Sequence, residues 1–197
     1  DGKSSSLRGL KNLLGECVFS ISTGEMIRGR LKSDPEFKRN YEPIVAGGGL
    51  VPDHEIIPMA EARYSEVVNF PESTLVYWDG VVRTAAQADH FVKKKKFIRP
   101  EDTLALYFRV SRETRSTRYA KRDELEARPD TGSFAPRSKV FEEHKESLIA
   151  KFRAFKIKVV TINAEQHMSD MLQDIVATVK ALLDGHLSES KAAPHPN

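Results

Sequence analysis

The sequence carries a single cysteine, Cys17, in 197 residues. That excludes an internal disulfide and any zinc site built from several thiolates. Long apolar runs are missing too, and a membrane-spanning helix needs about 20 such residues in a row. Neither sign of charge dominates: 31 Lys and Arg face 28 Asp and Glu, for a net charge of +3. That balance lacks the basic footprint of a nucleic-acid-binding protein. Histidine is sparse, and His54, His90, His144 and His167 show no metal-ligand spacing. No internal repeat is visible. What remains is the composition of a compact globular chain, 40% hydrophobic and 30% charged. A lone Cys in an apolar run reads as a core residue in a reducing compartment, the cytoplasm.

Four short runs read as strands, being rich in β-branched and aromatic residues: 17–21, 74–78, 103–110 and 157–162. Their apolar residues are nearly continuous, which suits strands covered on both faces. Between them lie helical patterns at 6–14, 141–155 and 168–183, the last with Leu172, Ile175, Val176, Val179 and Leu183 on one face. Strands alternating with helices imply a parallel α/β sheet. Two segments interrupt the alternation, a helical insertion at 24–52 ending in Gly47-Gly48-Gly49 and a charged stretch at 113–137. From His186 onward no apolar period remains, and a flexible tail is expected.

The chemistry concentrates in a few places. Gly2-Lys3-Ser4-Ser5 precedes a helix, as the last part of a phosphate-binding loop does. There, backbone amides and the helix N-terminus hold phosphates. Arginines crowd the stretch from Arg109 to Arg137, a local excess that suits a polyanionic ligand.

The segment Ser22-Thr23-Gly24-Glu25-Met26-Ile27-Arg28 resembles the Ser-Thr-Gly-Asp-Met-Leu-Arg motif of the adenylate kinase family. Gly49-Leu50-Val51-Pro52-Asp53 is similar to that family's Gly-x-Leu-Val-Pro-Asp turn. Asp79-Gly80-Val81-Val82-Arg83-Thr84-x-x-Gln87-Ala88 resembles its Asp-Gly-Phe-Pro-Arg-Thr-x-x-Gln-Ala signature. Arg118, Arg122, Arg128 and Arg137 then follow at nearly the spacing of the family's lid arginines.

The resemblance implies a P-loop NTPase-like parallel sheet flanked by helices, with a core of 1–23, 54–112 and 138–185. It implies a nucleoside-monophosphate lobe at 24–53, a short lid at 113–137 and a tail at 186–197. It implies a phosphotransferase acting on ATP and AMP, with Mg2+ and no nucleic-acid or membrane partner, as a monomer or as part of a larger assembly. Gly2, Lys3, Ser4 and Ser5 would hold ATP phosphates, and Arg118 would pack on the ATP base. Thr23, Val51, Gly80 and Gln87 would line the AMP site, with Arg28 and Arg83 on its phosphate. Arg122, Arg128 and Arg137 would gather over the phosphates, Asp79 would hold the metal through water, and Lys3 would follow the group in transit. Thr23 and Thr84 match the adenylate pattern, where uridylate and cytidylate kinases usually carry Ala and Asn.

Three departures stand beside the match. Val81-Val82 replace Phe-Pro, Arg128-Pro129-Asp130-Thr131 lacks one carboxylate, and Arg137 sits two residues nearer Arg128 than in the family. In the family the strand before the phosphate loop is the central one of five, and it is expected to lie upstream of Asp1. A catalytically weak, structural or nucleotide-sensing domain, or a kinase for another monophosphate, stays open as an alternative.

Overall fold

The computed structural model describes residues 3–70, 74–94, 96–126 and 134–192. In chain order it holds α1 (Lys3–Leu14), β1 (Val18–Ser22), α2 (Thr23–Ser33), α3 (Pro35–Ala46), α4 (Asp53–Ser65), β2 (Leu75–Asp79) and α5 (Ala85–Lys93). There follow β3 (Leu104–Arg109), α6 (Arg112–Glu126), α7 (Phe134–Ala154), β4 (Lys158–Asn163) and α8 (Met168–Ala192). The parallel α/β arrangement expected from the sequence is present. Among the described residues no helix is long and apolar enough to cross a membrane.

Strand alternation explains the layering. Val18, Leu75, Tyr77, Leu106 and Phe108 turn to a core shared with Leu7 and Leu10 of α1 and Met171 and Ile175 of α8. Phe19, Ile21, Val76, Trp78 and Ala105 turn to the opposite core, with Ala60 of α4, Phe91 and Val92 of α5, and Phe152 of α7. A near-continuous apolar strand therefore feeds two cores at once, as parallel strands between helices do. Each fully buried Leu, Ile or Phe contributes roughly 1.5–3 kcal/mol. Trp78 packs among rings, with Tyr64 and Phe91 at 5.7 and 5.2 Å between centroids.

The sheet is split. β1 pairs with β2 and β3 with β4, both parallel, and among the described residues no strand bridges β2 and β3. The split leaves β1 buried at every residue, while β2 is half-buried along its whole length. Both helical cores nevertheless touch both pairs, so the pairs share their covering layers. A groove runs between the two pairs, lined by Leu75–Tyr77 and Leu104–Tyr107.

A third, smaller core of Leu31, Phe37, Val45, Val51 and Ile56 holds α2, α3 and α4 together. Its entry is fixed by Asp34, whose side chain accepts from the Glu36 and Phe37 amides at 3.0 and 2.9 Å, with Pro35 opening the helix. The Phe37 amide first, then the Arg30 guanidinium and the Glu36 amide, hold the Asp34 carboxyl below its usual pKa.

Of the charged stretch after β3, residues 112–126 form a regular helix, α6, since its Arg, Lys and Glu residues are good helix formers. Two expectations are corrected. Cys17 is exposed, because it closes a 3-10 turn ahead of β1 and does not belong to the strand. α8 runs on to Ala192, into the segment read as a tail, because no proline intervenes before Pro194.

Candidate active site

Ser22 stands opposite Asp79 in the β1–β2 register, so the two strands end together. Ligands of open α/β sheets sit outside such carboxyl ends. The Ser22 hydroxyl donates to Asp79 Oδ2 at 3.3 Å. Thr23, buried at the start of α2, donates from Oγ1 to the Gly80 carbonyl at 2.8 Å. Two strand ends are thus stitched by hydroxyls, and one carboxylate is left at the rim.

The turn after β2 is held by a dense set of hydrogen bonds. Arg83 Nε donates to the same Gly80 carbonyl at 2.7 Å. Gly80 has φ +66°, and a Cβ there would stand 2.9 Å from the Arg83 guanidinium. Glycine is required on both counts. Gln87 Oε1 accepts from the Arg83 amide at 2.7 Å and the Thr84 amide at 3.2 Å, while Thr84 Oγ1 accepts from the Gln87 amide at 3.2 Å. That reciprocal pair is a capping box on α5. Gln87 Nε2 then donates to Asp53 Oδ1 at 2.7 Å, tying the turn to α4. Val81 is 1% exposed, packed in the core with Phe91 and Ile21. Burial of that side chain anchors the turn at the place where the family has Phe-Pro, and Arg83 still faces the cleft. Desolvation lowers the Arg83 pKa, Asp79 opposes the fall and Arg137 adds to it; a guanidinium stays charged regardless.

Arg28 folds back over the start of α2, its Nη1 3.0 Å from where a Gly24 Cβ would be. Val51 is buried just beyond the glycine turn. From the far side, α7 brings Arg137, whose guanidinium lies 6.0 Å from the Tyr119 ring centroid. Arg118 Nη1 donates to the Ala164 carbonyl at 2.8 Å, so α6 is fastened to the loop after β4. Ser5, Thr23, Arg28, Val51, Asp79, Gly80, Arg83, Gln87, Arg118 and Arg137 all line one cavity of about 2590 Å3. Ordinary ligand pockets measure about 300–1,000 Å3. The excess has a visible source, because Leu75–Tyr77 and Leu104–Tyr107 also line it: the cleft is continuous with the groove between the strand pairs.

Gly2 and Arg128 lie outside the described residues, as do the side chains of Lys3, Ser4 and Arg122. The backbones of Lys3 and Ser4 form the first turn of α1, and Arg122 lies on α6. Sequence reasoning missed Glu165. Its carboxylate accepts from the Ser111 amide at 2.5 Å and the Thr114 hydroxyl at 2.8 Å, which fixes the start of α6. These bonds depress the Glu165 pKa. Only Ser111-x-x-Thr114, a capping pattern ahead of a helix, hinted at it.

Asp79 suits a cation that keeps its water. Mg2+ binds through one or two carboxylates plus phosphates and several waters, and a single strand-end carboxylate is what the rim offers. Among the described residues there is no group of three carboxylate, His or Cys side chains that would make a protein-only cage.

No family model matches the chain. It is 27% identical over 165 residues to adenylate kinase 1 of Drosophila melanogaster, covering 83% of this chain and 69% of that protein. An adenylate kinase of Phocaeicola vulgatus is 28% identical over 166 residues, 84% of this chain and 86% of its own. One from Thermosipho melanesiensis is 33% identical over 122 residues, 61% and 54% respectively.

Proposed function

The chain belongs to the adenylate kinase family, and from that premise we propose that it moves the terminal phosphoryl group of MgATP onto AMP, giving two ADP. The observation that carries the reading is that Arg83, from the β2–α5 turn, and Arg137, from α7, line one cavity together with Asp79. Phosphoryl transfer brings two polyanions end to end, so its catalysis is chiefly positioning and charge neutralisation. Two guanidiniums held against their own repulsion suit that task, since each grips phosphate oxygens in pairs.

The acceptor side favours a base that turns an amine, and not a carbonyl, toward Thr23. Thr23 has spent its proton on Gly80, so its oxygen faces the cleft as an acceptor, which an adenine amine satisfies and a guanine or uracil carbonyl does not. Gln87 has spent both lone-pair directions of Oε1 and one N–H of Nε2, leaving one N–H for a ring nitrogen. Arg28 and Arg83 would take the AMP phosphate, and Arg118 the donor base. Lys3, Arg122 and Arg128 would complete the grip on the donor phosphates. Asp79 would hold magnesium through water, and that ion supplies further charge neutralisation. Segments 24–53 and 113–137 would act as the acceptor lobe and lid, keeping water from the reacting group.

A coupled assay for ADP, run with AMP, CMP, UMP and GMP as acceptors, tests this. Turnover is expected with AMP, weakly with CMP, and at background with the other two. A second reading is a nucleotide-binding domain without turnover, favoured by the lid segment Arg128-Pro129-Asp130-Thr131, which lacks one carboxylate of the family pattern. Tight ATP binding with no turnover on any acceptor would decide for it.

A further inference from the structure

The turn between α3 and α4 carries three glycines, of which Gly48 alone is buried. It also has φ +80°. A Cβ at Gly48 would stand 2.9 Å from Arg137 Cγ, 3.1 Å from the Arg137 amide nitrogen and 3.2 Å from Pro136 Cβ. Its neighbours differ: the nearest atoms to a Cβ at Gly47 or Gly49 belong to Pro43 and Ile44 of the preceding helix. So the bare backbone of one residue in the acceptor layer touches the first turn of α7, the helix that delivers Arg137.

We propose that Gly48 is the seat on which the first turn of α7 docks, and that its missing side chain sets how closely Arg137 approaches Arg83. The inference rests on the two-nucleotide reading and deepens it, making Gly48 a positioning residue. Arg83 and Arg137 repel one another, so a fixed approach of the two needs a stop that sets the geometry. A contact of the Gly48 backbone on Arg137 Cγ, the Arg137 amide and Pro136 Cβ is such a stop, because these atoms lie at or next to the α7 backbone and have little room to yield. Filling it with one carbon atom moves Arg137 outward by a fraction of an ångström to an ångström. Misplacement on that scale costs on the order of 100-fold in rate.

The test separates crowding from backbone strain. Gly15 also has positive φ, +58°, with nothing within 4 Å of a built Cβ. Gly48→Asn and Gly15→Asn impose similar strain, and Asn is the residue with a side chain that tolerates positive φ best; only the first fills the seat. The probe is a bridged compound, two adenosines joined end to end through five phosphates, with ATP alone as reference. Gly48→Asn is expected to bind the bridged compound and to turn over roughly 30–100-fold less well, with ATP affinity within about twofold. Gly15→Asn should match the wild type in all three. Gly48→Ala, compared with Gly15→Ala at matched distance below each melting point, should repeat the pattern. If the wild type holds the bridged compound tightly and the two Asn variants behave alike, the seat is overturned alone. A wild type that holds the bridged compound no better than ATP overturns the kinase reading, and the seat with it.

Discussion

Arg83 and Arg137 reach the same cleft by opposite routes. Arg83 sits within the turn that follows β2, its Nε on Gly80 and its amide on Gln87, in a lattice closed by Thr84 and Asp53. Arg137 rides on α7, a helix of 21 residues with no buried residue. One position is fixed before any ligand arrives, by local hydrogen bonds and by Val81 in the core. The other depends on how an amphiphilic arm settles against Gly48 and Tyr119. If the cleft admits two nucleotides as proposed, opening to receive them and closing to exclude water calls for one half of each kind.

The sharpest way to break that contrast is Arg83→Ala. The side chain points into the cleft, and Thr23 still serves the Gly80 carbonyl without it. ADP formation should fall about 100–1,000-fold, the usual cost of a lost transition-state donor, while the melting temperature stays close to wild type. If the activity loss merely follows unfolding, Arg83 belongs to the turn and not to the chemistry. Gln87→Ala should do the reverse and act first on stability. It strands the Arg83 and Thr84 amides and frees Asp53, at about 1–3 kcal/mol for the unpaired groups. Urea unfolding should show that loss, with the AMP requirement rising and ATP affinity unchanged. Equal weakening of both nucleotides would mean that the turn does not belong to one side alone.

The same contrast explains what could be read from the residues. The β2–α5 turn was found through its resemblance to a family motif, and such a motif is compact because its partners, Asp79, Gly80, Arg83, Thr84 and Gln87, lie within a few positions. Strand positions came out within a residue or two, since continuous apolar runs have sharp edges. Long-range partners leave no such trace. Nothing near Val81 says that its burial replaces a proline, and nothing near Gly48 names Pro136 and Arg137 as its neighbours. Cys17 was misplaced for a similar reason, one residue deciding between the last turn and the first strand position.

The smallest effect concerns the arm's other anchor. Glu165 is held below its ordinary pKa of 4.5, first by the Ser111 amide and then by the Thr114 hydroxyl. A depressed carboxylate contributes stability that is fully present above its unfolded pKa and fades as pH falls through the folded one. The anchor therefore acts at neutral pH and is lost in the window below about 4.5. Glu165→Gln keeps an acceptor for the Ser111 amide but removes the charge, so its melting temperature should sit slightly below wild type at pH 7. As pH drops beneath 4.5 the two curves should converge, because protonation makes the wild type resemble the variant. Parallel curves would show that α6 is seated by Arg118 on the Ala164 carbonyl, a bond indifferent to pH over that range, and that the carboxylate is only a passenger on the arm.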